Sequence, residues 1–148
     1  MKLIHRLIAV STCPQMHMHG QFEASLGYFG NPTFTLRVRD DFEAHQWEFS
    51  RTLANGASFA EWLRKAKPGT LVDLNARTSV KIRESLPDAV SFRIVDHTPD
   101  GEALTMLVMH RAKLISFLLS TESVVPLEVE TTTLQQNLDQ VLAGILGQ

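Results

Sequence analysis

A single cysteine, Cys13, excludes an internal disulfide framework and fits a reducing compartment. No stretch approaches the roughly 20 apolar residues that a membrane-spanning helix requires, so the expectation is a cytoplasmic protein. Neither charge sign dominates: 14 lysines and arginines face 16 aspartates and glutamates, leaving a net charge of −2 and no global pull toward nucleic acid or anionic lipid. The common nucleotide-binding motifs, G-x-G-x-x-G and the P-loop, are missing. No serine or cysteine stands in a nucleophile elbow, and no repeat shows at the ~20–50-residue periods of solenoids. These absences argue against an enzyme and imply no cofactor. The N-terminus places Lys2 before an apolar run, but His5 and Arg6 interrupt it, so it reads as a first strand and not as a signal peptide.

What is present describes one ordinary domain over residues 1–148. With 44% hydrophobic and 20% charged residues, the chain is suited to a buried core and not to disorder. Phe22, Ala24, Leu26 and Tyr28 alternate with polar residues and glycine, as a strand with one wet face does. Gly30-Asn31-Pro32 turns into a second alternating run from Phe34 to Arg39 that points Arg37 and Arg39 outward. Ala44 to Ser50 returns as its hairpin partner, with His45, Trp47 and Phe49 on one side at core spacing. Ser58 and Glu61 match a capping box for a short helix ending at Pro68-Gly69. Leu71 to Leu74, Thr78 to Ile82 and Val90 to Ile94 are further strands.

The densest signals run from Thr98 to Pro126. Thr98-Pro99-Asp100-Gly101 is turn chemistry. From Glu102 to Met109 both alternating faces are mostly apolar, which predicts a strand covered on both sides. Helical spacing follows over Arg111 to Thr121, with Ala112, Ile115 and Leu119 on one ridge and Leu114, Phe117 and Leu118 beside it. Past Pro126, a terminal helix carries Leu134, Leu138, Val141, Leu142 and Ile145 on one stripe, which could pack on its own sheet or on a partner subunit and is the expected interface for self-association. About seven strands, mostly antiparallel, and three helices, mostly late, predict an α+β fold.

Candidate chemistry is sparse. Cys13, Met16, His17, Met18 and His19 have ligand-type side chains, but their spacing fits no closed zinc pattern and reads as a loop or strand edge. His5, His45, His97 and His110 are scattered, and Glu23, Glu48, Asp96 and Glu102 define no dyad. Arg37 and Arg39, with Arg64, Lys65, Lys67, Arg77, Lys81 and Arg83, are the residues a nucleic-acid face would use. No aromatics are interleaved with them for base stacking, and solvated faces are the preferred reading.

Several spaced motifs resemble the SsgA-like family of actinobacterial sporulation and cell-division proteins. They are Leu26-Gly27-Tyr28 with Asn31-Pro32, Trp47-x-Phe49-x-Arg51 with Leu53 and Gly56, and Pro99-Asp100-Gly101-Glu102-Ala103-Leu104. Phe117-Leu118, Thr121, Val125-Pro126 with Glu128, and Leu138-Asp139-x-x-Leu142 follow in the family's order. Departures point to a divergent paralogue: Val72-Asp73-Leu74 replaces Val-Trp-Pro, Leu127 stands where glycine would follow Val-Pro, and the middle from Ser58 to Ala89 is longer. The resemblance implies a whirly-like domain of two antiparallel sheets with packed helices, assembled as a homotrimer. It also implies a non-enzymatic role at division septa, with the tubulin-like FtsZ or another SsgA-like protein as partner. The alternative reading, from the same fold analogy and the Arg37/Arg39 face, is a single-stranded nucleic-acid binder.

Overall fold

The computed structural model describes residues 4–12, 20–30, 32–39, 44–86 and 88–127. Strands β1 (Ile4–Thr12), β2 (Gly20–Tyr28), β3 (Thr33–Arg39) and β4 (Ala44–Ser50) form an antiparallel meander. Helix α1 (Phe59–Lys65) follows. A second meander, β5 (Leu71–Asn75), β6 (Thr78–Ile82), β7 (Ala89–Thr98) and β8 (Gly101–His110), leads into α2 (Arg111–Val124). A four-stranded meander capped by a helix thus occurs twice. The repeat lies in connectivity and not in residue identity, which is why the sequence does not display it.

Period-2 alternation places the strands. In β3, Phe34, Leu36 and Val38 are buried while Arg37 and Arg39 are exposed, so one face meets the core and the other water. Phe49 is buried, and Trp47 packs half-buried against the same core. Between β7 and β8, Thr98 pairs with Gly101 across Pro99-Asp100, and Gly101 takes the positive φ of 126° that its turn requires.

Two sheets were expected, and hydrogen bonding joins all eight strands into one, in the order β4-β3-β2-β1-β8-β7-β6-β5. The join is short: Val10, Ser11 and Thr12 pair with Met109, Val108 and Leu107. Each meander keeps its own ladder, and three residue pairs at the β1–β8 seam turn two sheets into one. At the opposite side the chain just beyond β4 approaches β5, with Ala54 N 3.5 Å from the Asp73 carbonyl, so the sheet curls into a nearly closed barrel.

The core straddles the two halves. Phe34, Phe49, Phe59, Phe92 and Phe117 come from β3, β4, α1, β7 and α2, and each is almost fully buried. Ring centroids lie 5.0 Å apart for Phe49 and Phe92, and 5.7 Å for Phe34 with both Phe49 and Phe117. Such pairs contribute about 0.5–1.5 kcal/mol each beyond the area they bury.

Two expectations need correction. Strand β8 is not covered along its whole length: Leu107 and Met109 are buried, whereas Glu102, Ala103 and Leu104 are exposed, in the part of the β7–β8 hairpin that runs past the residues paired with β1. Helix α1 sits between the two meanders, where the Ser58 cap and Pro68-Gly69 placed it. The capping box at α1 is half formed. Ser58 Oγ accepts from Glu61 N at 3.3 Å, but the Glu61 carboxylate turns forward to Arg64 Nη1 at 3.3 Å and Lys65 Nζ at 2.8 Å. The third expected helix lies outside the described residues.

Candidate interaction surface

Helix α2 carries more apolar surface than one buried face uses. Leu114, Phe117, Leu118 and Thr121 face the core. On the other side Leu119 is 41% exposed and Val124 51% exposed, with Ala112 exposed and Ile115 half-buried. Together with Ile4 and Arg6 of β1 they border an open groove of about 750 Å³, into which the small side chains of Ser116, Ser120 and Ser123 also face. A clustered apolar patch of this kind marks a contact surface more often than a solvated one does.

The helix is held at both ends. At its start Arg111 N donates to the Asp88 carbonyl at 2.8 Å, and His110 Nε2 lies 3.0 Å from Asp88 Oδ2. The His110 side chain also accepts from Lys113 N at 3.4 Å, acting as the N-cap. Arg111 reaches across to α1, donating Nε to the Leu63 carbonyl at 2.6 Å and Nη2 to the Ala66 carbonyl at 2.9 Å. Those carbonyls close the end of α1, where a cation is favoured by the helix dipole. At the far end Ser58 Oγ, the N-cap of α1, donates to Glu122 Oε1 at 3.0 Å. The two helices are therefore antiparallel neighbours tied at both ends.

A third tie is buried. Arg51, 1% exposed, donates Nη1 to the Val125 carbonyl at 2.8 Å and to Thr121 Oγ1 at 3.2 Å, and its guanidinium lies 4.6 Å from the centroid of the Tyr28 ring. Its place in the Trp47-x-Phe49-x-Arg51 spacing does not by itself announce this task. The signal was present, since Phe49, Arg51 and Leu53 stay on one inward phase past the end of β4 and all three are buried.

The basic residues considered for nucleic acid are spread over separate elements. Arg37 and Arg39 project from β3, with Ser25 and Gln46 flanking Arg37 and Ala44 beside Arg39. Arg64 and Lys65 sit on α1 and engage Glu61, whose carboxyl is held below its ordinary value first by the hydrogen bond from Lys65 and then by that cation's charge. Arg77 lies in the β5–β6 turn and Lys81 on β6. Among the described residues the histidines stay apart as well: His45 stacks on Trp47 with 6.0 Å between centroids, and His97 faces Glu102 at 3.7 Å. Among the described residues no three His, Cys, Asp or Glu side chains gather as a metal site would need. Among them, too, no helix is long and apolar enough to cross a membrane. The cluster from Cys13 to His19 and the stripe Leu134, Leu138, Val141, Leu142 and Ile145 lie outside the described residues.

No family model and no curated protein matches the chain in sequence. Solved structures match it in shape, two of them as follows. One is SsgB of Streptomyces coelicolor, in which mutations correlate with longitudinal cell division during sporulation. The match has 20% identity and a TM-score of 0.61, over 89% of this chain and 96% of that one. The other is an SsgA-like sporulation-specific cell division protein from Thermobifida fusca, with 15% identity and a TM-score of 0.63 over 93% of each chain. Spaced sequence motifs and a shape shared over nearly the full length of both proteins converge, and this chain has the SsgA-like fold.

Proposed function

We propose that this chain is a divergent SsgA-like protein that acts in sporulation-specific cell division as a non-enzymatic adaptor, through protein–protein contacts and self-association. The observation that carries the reading is the meeting of two separate pieces of the family resemblance. Arg51, from the Trp47-x-Phe49-x-Arg51 motif, donates to the carbonyl of Val125, from the Val-Pro exit, and to Thr121 between them. Motifs far apart in sequence thus build one buried junction, in a fold whose solved relatives are division proteins. An adaptor presents surface and not a reaction centre, and the apolar groove beside α2 suits that role.

In this reading the protein is cytoplasmic, is recruited to septa, and binds FtsZ or another SsgA-like protein as a small homo-oligomer, with the trimer as the expected size. Multi-angle light scattering on the purified chain, alone and then with FtsZ at low salt, tests it. A homotrimer that shifts to a larger complex supports the adaptor; a monomer indifferent to FtsZ removes both the assembly and that partner.

A further inference from the structure

We infer that the edge of β1 facing α2 receives an extended, acidic segment of a partner protein, which joins the sheet as a strand antiparallel to β1. The inference rests on the adaptor reading and gives its contact surface a binding mode.

The backbone supplies the first argument. On one side β1 pairs with β2 through all nine of its residues, but on the other it pairs with β8 only at Val10, Ser11 and Thr12. At His110 the chain leaves that ladder for α2, so the line a longer β8 would follow past Ala9 toward Ile4 is given up. Among the described residues no other strand takes that line, and no backbone bond outside the ladders reaches Ile4 to Ala9. A strand edge of this kind offers alternate N–H and C=O groups to an incoming chain. Arg6 Nη1 donates to the His5 carbonyl at 2.8 Å, so a side chain serves one of this strand's acceptors.

Room is the second argument. Helix α2 stands off from the edge, and hollows of about 750, 120 and 380 Å³ follow one another along β1. Ile4 and Arg6 border the first, Arg6 to Ile8 the second, and Leu7 to Ala9 the third. Arg6 and Ser116 are common to the first two, and Leu7 and Lys113 to the last two, so the three make one trough. Six residues extend about 20 Å at ~3.3 Å each, the length of an ordinary short strand.

Charge selects the occupant. Arg6 and Lys113 each border two of the three hollows, against the single carboxylate of Glu23. Among the described residues the Lys113 ammonium engages no carboxylate. Leu7, 58% exposed, and the outward Leu119 and Val124 add apolar surface to the same trough. An extended segment that alternates acidic and apolar residues matches all three properties. Pairing β1 with β1 of a second copy would instead set these cations against their own counterparts, which destabilises a ladder.

The test titrates the full, isotope-labelled chain with a capped nine-residue peptide that alternates glutamate with valine and threonine, followed by NMR. Two controls accompany it: the same peptide N-methylated at two adjacent central amides, which spoils both of its edges, and a version with lysine for glutamate. The expected result is a shift of the resonances of Ile4 to Ala9, with both controls binding at least about tenfold more weakly. No binding, binding that moves only residues elsewhere, or binding that either control matches overturns the proposal. Hydrogen exchange gives an independent reading. Alternate amides from His5 to Ala9 should exchange fast in the free chain and slowly once the peptide is bound. Slow exchange of all of them in the free chain means that the edge is already covered, and also overturns it. Assembly with FtsZ is measured separately: a chain that joins FtsZ but ignores the peptide keeps the adaptor reading and loses this one.

Discussion

The hydroxyl of Ser58 serves two helices at once: it caps α1 by accepting from Glu61 N at 3.3 Å and holds α2 by donating to Glu122 Oε1 at 3.0 Å. Removing it takes away both. Ser58→Ala should cost about 1–2 kcal/mol, at the upper end for a lost cap. Glu122→Ala should cost less because the cap survives, and urea denaturation of both variants and their double mutant should show coupling between them.

The Arg51 junction predicts that charge alone is insufficient. Arg51→Lys keeps the cation but loses the planar group that spans Thr121, Val125 and the face of Tyr28. A loss of about 1.5–3 kcal/mol is expected, the range for hydrogen bonds to a charged group. Thermal and urea unfolding measure it, and a fully stable Arg51→Lys would mean the side chain merely fills space.

The phenylalanine cluster makes the two meanders one cooperative unit. Phe92→Ala should cost about 3–5 kcal/mol and lower the midpoint without splitting the transition. Circular dichroism and tryptophan fluorescence should report coincident unfolding. Trp47 lies in the first meander and Trp62 on α1, so a separately melting second half would show as a mismatch between the probes.

The outward arginines of β3 discriminate the adaptor from a nucleic-acid binder. The adaptor reading predicts no binding of single-stranded oligonucleotides at low salt and no change in FtsZ association on Arg37→Ala with Arg39→Ala. A binder that used both residues would show affinity falling with salt, with a log–log slope about 1.4 shallower once the two are removed. Fluorescence anisotropy across a salt series settles which holds.

Where one residue's neighbours sufficed, the fold could be read from the sequence. The β4 span, the α1 cap at Ser58 and the turn at Gly101 follow from alternation, hydroxyl placement and glycine's freedom, all local properties. What the sequence did not reveal depends on distant partners. The β1–β8 seam joins opposite parts of the chain, and nothing within Val10-Ser11-Thr12 names Leu107 to Met109 as its neighbours. The two apolar ridges of α2 looked alike in spacing, and only packing decides that Leu118 goes inward while Leu119 stays out. Arg111 reads as a helix-start residue whose dipole sense is unfavourable; its worth comes from α1, whose end it closes.

That seam also orders events in time. Each meander is built of hairpins between neighbouring strands, which form in microseconds, whereas pairing Val10 with Met109 closes a far longer loop and is expected to come later. Closing the β1–β8 pair is therefore a late step, and substitutions there should speed unfolding far more than they slow folding.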